Sequence, residues 1–402
     1  MDDMREKQKR FDRIVDISGR GSLQYISTDP SLREKGIISF EGAEMSFATA
    51  PSVIASVSET AENGIYGFTL ADAPYLQRVV WWMKEVRDWD ITEDMVVPVH
   101  GTIFSIASMI RMCTDKGDGV MTMAPVYPRY EQAVRRLERN TVYVPMKCRK
   151  GYYTFDLNRL EDAFRNSNNK LLIICNPHNP VSRVWKKEEL SSIAYLSGKY
   201  GKYVISDEIF AEMVFDGNMT VPYTSIPDAG EYGVVVTSLG KIFNFTGVNH
   251  ANVIIENPEL RDRYIKQKYA DHYGSVGPFE YAAIKGAYCP EGREWMEDML
   301  SYVKENKDIL KDGLESIFPD VIISPVEGTS VMWTDWSGCD LPKTPHRFLL
   351  EDAIIQTQDG NEFGPGGKSH TRWNFSVGRD QIRNALERLD RAAAVLKAGG
   401  SK

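Results

Sequence analysis

Through the middle of the chain, short apolar runs alternate with stretches of helical period. Met95 to Val99 precedes a helical pattern over Ile103 to Met112. Val120 to Met123 precedes one over Arg129 to Leu137, and Val142 to Val144 one over Leu157 to Phe164. Leu171 to Ile174 leads to Lys187 through Leu196. Two further runs, Tyr203 to Ile205 and Val234 to Val236, end at Asp207 and Ser238. These runs are continuously apolar, which predicts strands covered on both faces. Their alternation with helices predicts an α/β fold, a mainly parallel central sheet with helices on both faces.

The pattern changes near residue 290. Trp295 to Leu314 reads as a long amphipathic helix. Val321 to Ile323 and Val331 to Trp333 read as short strands, and His346 to Ile354 and Gln381 to Leu396 as helices. The expected division is a large cofactor-binding domain over 49–290, a small α+β domain over 291–402, and an N-terminal segment, 1–48, packing with the small domain.

Composition narrows the function classes. The 402 residues are 42% hydrophobic, enough for a large core, and the net charge of −8 argues against nucleic-acid or anionic-membrane partners. No run is long enough for a membrane span, and the charged N-terminus is not a secretory signal. The cysteines, Cys113, Cys148, Cys175, Cys289 and Cys339, show neither metal-ligand nor disulfide spacing. The expectations are a cytoplasmic protein without a metal site.

In a parallel α/β sheet, ligands collect at the carboxyl ends of the strands. Three polar signals stand just past apolar runs: Asn176-Pro177-His178-Asn179-Pro180, Ser206-Asp207-Glu208 and Ser238-Leu239-Gly240-Lys241. An amide, an acid and a lysine in this order suit pyridoxal 5'-phosphate (PLP). That cofactor needs a lysine for its aldehyde, an acid for its ring nitrogen and donors for its phosphate. Lys241 is the candidate lysine; a solvated turn lysine is the alternative. Asp207 is the candidate acid. Its alternative is a helix cap, and Glu208 is a neighbour able to exchange roles with it unless strand alternation points the two apart. Gly101-Thr102 opens a helix whose free amides suit a phosphate, with Ser238 adding a hydroxyl, although a simple strand-to-helix turn explains the same residues. Tyr127 is a candidate to stack on the cofactor ring, or else a core tyrosine. Arg372 is a candidate to grip a substrate carboxylate with two hydrogen bonds, or else a surface ion-pair residue.

Together these segments resemble the fold-type I PLP enzymes of the aspartate aminotransferase superfamily (class I/II), and among them the bacterial MalY/PatB-type cystathionine β-lyase and C–S lyase group. The resemblance also runs through Tyr66-Gly67-Phe68-Thr69, Ala124-Pro125-Val126-Tyr127-Pro128, and Phe363-Gly364-Pro365-Gly366-Gly367 followed by Arg372-Trp373-Asn374. It implies that Lys241 bonds the cofactor aldehyde and removes the substrate α-proton. It assigns Asp207 to the ring nitrogen, Asn179 rather than Asn176 to the ring hydroxyl, Gly101, Thr102 and Ser238 to the phosphate, Tyr127 to the ring face and Arg372 to the α-carboxylate. Tyr66 would reach the phosphate in a neighbouring subunit, which implies a homodimer with shared sites.

The implied activity is β-elimination from a cystathionine-like or cysteine-conjugate amino acid, giving thiol, keto acid and ammonia. A class I/II aminotransferase is the alternative, and a PLP-binding regulatory protein without activity is a third reading. The chain departs from the group at Phe210, where His or Tyr is usual. It departs again at Ala43-Glu44-Met45-Ser46-Phe47, at Ser182 and at Glu327-Gly328-Thr329-Ser330.

Overall fold

The structure is a computed structural model that describes residues 8–274 and 276–399. Seven strands form the central sheet: β1 (Val96–Val99), β2 (Gly119–Ala124), β3 (Asn140–Pro145), β4 (Asn169–Cys175), β5 (Tyr203–Asp207), β6 (Gly233–Thr237) and β7 (Ala251–Ile254). Their order across the sheet is β1-β7-β6-β5-β4-β2-β3. All run parallel except β7, which is antiparallel to both its neighbours. The strand β7 was not among the runs read from sequence. It lies sandwiched between β6 and β1, with all four residues buried.

The apolar runs are explained by burial on both faces. One hydrophobic cluster takes Met121, Met123, Leu172, Ile174, Val204 and Val235. The opposite cluster takes Val120, Leu171, Ile173, Ile205, Val234 and Val236. Successive apolar side chains of each strand thus enter different layers.

Twelve helices matter here: α1 (Pro51–Glu62), α2 (Ala73–Arg87), α3 (Thr102–Cys113), α4 (Pro128–Arg136), α5 (Leu157–Arg165), α6 (Lys187–Tyr200), α7 (Leu239–Ile242), α8 (Pro258–Ala270), α9 (Pro278–Ala287), α10 (Pro290–Ile317), α11 (Pro345–Glu351) and α12 (Arg379–Gly399). A second, antiparallel sheet combines β8 (Ile322–Ile323), β9 (Val331–Asp335), β10 (Gln358–Asp359) and β11 (His370–Asn374), in the order β8-β9-β11-β10. The helix expected to run to Ile354 stops at Glu351. Ile354 itself has φ 55°, a left-handed backbone that a helix does not accommodate.

The N-terminal segment crosses between the two sheets. Ile38–Ser39 pairs in parallel with Ile355–Gln356, and Phe40 accepts the Asn374 N–H at 3.0 Å. Asn374 Nδ2 donates to Glu44 O at 2.6 Å, and Asn244 Oδ1 accepts Met45 N–H at 3.0 Å. Residues 41–44 are thereby fixed as a strap over the carboxyl ends of the central strands.

Candidate active site

Five strands of the central sheet deliver their carboxyl ends to one edge. Past β1 stands Gly101, past β2 Tyr127, past β4 Asn179, at the end of β5 Asp207 and past β6 Ser238. A cavity of about 310 Å³ opens there, lined by Tyr127, Asn179, Asp207, Phe210, Lys241 and Arg372. An adjoining lobe of about 260 Å³ shares Tyr127, Asp207 and Lys241 and adds Gly101, Thr102, Ser238 and His250. Eight of the nine sequence candidates therefore meet in one continuous space. Tyr66 lines neither lobe. It is half exposed, donates to Ala61 O at 2.7 Å and packs against Phe279.

Lys241 sits on the short helix α7, whose N-cap Ser238 accepts Gly240 N–H at 3.0 Å. It is not a solvated turn lysine. Nζ donates to Ala43 O at 3.2 Å and stands 5.8 Å from the centre of the Phe210 ring. Burial, with help from the Arg372 charge, pushes its pKa down to about 8 against the pull of Glu44. At pH 7 about one amine in ten is then neutral, against fewer than ~1 in 1,000 for an ordinary lysine.

Asp207 and Glu208 part company as strand alternation requires. Glu208 turns into the core, where it pairs with Arg87 and accepts from Ser206 Oγ and Tyr223 N at 2.8 Å each. Asp207 faces the cavity. Its Oδ2 accepts from Tyr130 Oη at 2.5 Å, and its Oδ1 accepts Ile209 N–H at 3.3 Å. Burial raises its pKa to about 6, and the Tyr130 hydrogen bond restrains the rise. Asp207 thus carries its charge at neutral pH without an adjacent cation in ion-pair contact, and a protonated ring nitrogen would satisfy it.

Arg372, on β11, is buried rather than a surface ion-pair residue. Nη1 donates to Asn179 Oδ1 at 3.0 Å and Nη2 to Gly42 O at 2.8 Å, with Gln358 Oε1 also accepting from Nη2. Its buried Nε has no partner, and no carboxylate among the described residues forms an ion pair with it. A buried guanidinium held only by neutral acceptors is a site for an incoming carboxylate. Asn179 Oδ1 is occupied by this contact, which leaves its NH₂ as donor. Asn176 is purely structural: it accepts Trp185 N–H and donates to Val221 O.

The smaller lobe has the chemistry of an anion cradle. Gly101 at φ 90° is the N-cap of α3, so the first amides of that twelve-residue helix point toward the lobe. Thr102 lines it, and so does Ser238, whose hydroxyl already donates to His250 O at 2.7 Å. An amine, a buried acid and an anion cradle in one cavity fit PLP. Sequence reasoning missed Tyr130, Arg129 and the strap carboxylate Glu41, whereas Glu44 and Phe210, where the chain departs from the group it resembles, do line the cavity. Tyr130 is two residues into a helix that follows Tyr127-Pro128, and its hydroxyl was identifiable only as part of an aromatic pair at helical spacing.

Comparisons with known proteins agree with this geometry. The family model for aminotransferase class I and II matches residues 38–389. The chain is 25% identical to the cystathionine beta-lyase PatB of Bacillus subtilis, covering 95% of this chain and 99% of that one. It is likewise 25% identical to the protein MalY of Escherichia coli, with 96% and 99% covered. Cystalysin of Treponema denticola, solved with PLP, superposes with a TM-score of 0.89 at 29% identity over 96% of this chain and 99% of that one. With nearly its whole length matched, and the fold-type I architecture to go with it, the chain belongs to the aminotransferase class I and II family.

Proposed function

We propose that this protein is a PLP-dependent carbon–sulfur lyase acting on a cystathionine-like or other S-substituted cysteine. The observation that carries the reading is the meeting, in one cavity, of a lysine with a depressed pKa, a buried ionised acid and a buried arginine lacking a carboxylate partner. The names carried by its relatives point to the same class of reaction.

When bound, PLP supplies an aldehyde for the amino group and an electron-withdrawing ring that stabilises negative charge at the substrate α-carbon. Asp207 would hold the proton on the ring nitrogen, and Asn179 would donate to the ring hydroxyl. Gly101, Thr102 and Ser238 would hold the phosphate, and Tyr127 would cover the ring. Arg372 would grip the α-carboxylate and so orient the α-hydrogen. Lys241 Nζ, neutral in a useful fraction, takes the α-proton. The β-carbon–sulfur bond then breaks with its electron pair going to sulfur, and one water supplies the carbonyl oxygen. For each substrate consumed, the products are one thiol, one keto acid and one ammonia.

Aminotransfer uses the same residues but needs a second, usually acidic, substrate. The remaining charged side chains of the cavity wall are Glu41, Glu44 and Glu362, which oppose a second carboxylate, and Arg129, which would favour one. The test is incubation of the PLP-loaded protein with cystathionine and no added keto acid. Release of keto acid and ammonia is expected; strict dependence on an added keto acid would sink the reading.

The homodimer belongs to the same proposal. Ile65, Tyr66, Phe68 and Leu70 are exposed in one short stretch, with Phe68 fully so, which suits a surface covered by a second copy. Tyr66 would reach the phosphate lobe of the partner from there. A cytoplasmic setting is supported by five free cysteines. Among the described residues, no helix is long and apolar enough to cross a membrane.

A further inference from the structure

A second concavity, of about 520 Å³, shares no residue with the space around Lys241. It lies between the end of α11, residues 352–354 and residues 388–396 of α12, with Lys35 and Pro342 completing its lining. Its size falls within the roughly 300–1,000 Å³ of small-molecule sites. Phe348, Ala353 and Ala392 are a buried apolar floor, which Ile354, Val395 and Leu396 extend. Val395 is 73% exposed, a large apolar side chain left on the surface at this groove.

The charged part of the lining is cationic. Lys35, Arg388 and Arg391 belong to it, and none of the three forms an ion pair with a described residue. Asp352 is the one acid among the lining residues, and Lys343 already engages it at 2.8 Å. Lys35 and Arg391 are exposed, whereas Arg388 is half-buried. Arg388 Nη1 donates to Gly36 O at 2.8 Å and to Ile354 O at 3.5 Å, so this guanidinium is held by carbonyls alone. A carboxylate is the stronger acceptor for it. Ile354 carries the left-handed φ of 55°, a costly backbone for a β-branched residue and one of the kind that collects at ligand sites.

We infer that this groove binds a small, free amphiphilic carboxylate, with its anionic head at Arg388, Lys35 and Arg391 and an unbranched apolar tail along Phe348, Ala392 and Val395. Two features select this occupant together. Positive charge without an acidic partner favours an anion, and the apolar floor rewards a ligand that brings a tail with it. An inorganic anion would gain the head contact alone, and a neutral alcohol the tail contact alone. The site stands apart from the lyase reading and does not depend on it.

The experiment is isothermal titration calorimetry of the PLP-loaded protein with octanoate, octanol and octylammonium. Octanoate is expected to bind at least ~10-fold more tightly than octanol, with octylammonium weakest. Val395→Asp changes an exposed position, so the fold survives it, and its like charge beside the tail should weaken octanoate at least ~10-fold. The combined R388Q/R391Q variant should bring octanoate and octanol to the same affinity. Arg372→Lys should leave octanoate binding unchanged. Thermal unfolding and the visible absorption of bound PLP serve as folding controls for each variant. Octanol binding as tightly as octanoate would overturn the inference, as would octanoate binding untouched by Val395→Asp. Octanoate binding lost in Arg372→Lys and kept in the groove variants would place the carboxylate in the cavity around Lys241, which overturns the inference equally.

Discussion

Tyr130→Phe isolates one hydrogen bond without changing the shape of the core. Tyr130 is buried in the layer under β2 and β4, and its hydroxyl donates to Asp207 Oδ2 at 2.5 Å. A hydrogen bond to a charged acceptor contributes about 1.5–3 kcal/mol. At roughly 1.4 kcal/mol per unit, its loss raises the Asp207 pKa by about one to two units. The carboxyl already lies near 6 because of burial, so the variant places it at roughly 7–8 in the PLP-free protein. A protonated Asp207 has no charge to offer the ring nitrogen. The apparent PLP dissociation constant, relative to the parent protein, should therefore rise ~2- to 10-fold at pH 7 and converge on the parent value at pH 9. The assay is a PLP titration of both apoproteins at each pH, followed by absorbance. A ratio that is the same at pH 7 and pH 9 would refute the assignment of Tyr130 as the group that keeps Asp207 ionised.

Three further perturbations probe the rest of the site. Lys241→Met should abolish turnover and stabilise the apoprotein. The folded-state pKa of about 8 lies below that of a free lysine, so the folded chain binds fewer protons between about pH 8 and 10.5. The cost of the buried charge, about 3 kcal/mol, is complete below pH 8 and disappears as pH rises through that window. Thermal unfolding should show a higher Tm for the methionine variant at pH 7 and a closing gap by pH 10. Arg372→Lys keeps a charge but loses the planar fork, and KM should rise by at least ~10-fold with a smaller change in kcat. An unchanged KM would remove the guanidinium from carboxylate binding. Phe68→Asp should convert a dimer into a monomer in size-exclusion chromatography and weaken PLP retention; an unchanged elution volume would discard the 65–70 stretch as the interface.

The sheet was legible because its inner parallel strands are covered on both faces, and continuous apolarity is a strong signature. Antiparallel β7 was not, since Ala251-Asn252-Val253-Ile254 carries Asn252, whose side chain accepts from Tyr75 Oη at 2.9 Å within the protein. The residues at strand ends were legible because an acid or amide after an apolar run is conspicuous. Asp207 and Glu208 could be told apart only by the alternation of the strand, and the structure bears that argument out. The strap was legible only through the resemblance, which marked Ala43 to Phe47 as an altered stretch. Glu41 and Glu44 lie some 200 residues from Lys241 in sequence, and nothing in their local pattern signals a cavity. Their placement comes from long-range backbone pairing of Ile38–Phe40 with Gln356 and Asn374. Tyr130 was hidden for a similar reason, since a tyrosine on an amphipathic helix reads as core until its hydroxyl is seen to meet a carboxylate.

The strap also bears on how substrate is admitted. The two cations proposed to meet the substrate are held by consecutive carbonyls of this one segment, Arg372 by Gly42 O and Lys241 by Ala43 O. These acceptors are neutral, and a carboxylate forms hydrogen bonds to a guanidinium about twice as strong as a carbonyl does. An amino acid therefore gains by displacing Gly42 O from Arg372, whereas a ligand lacking the α-carboxylate gains nothing there.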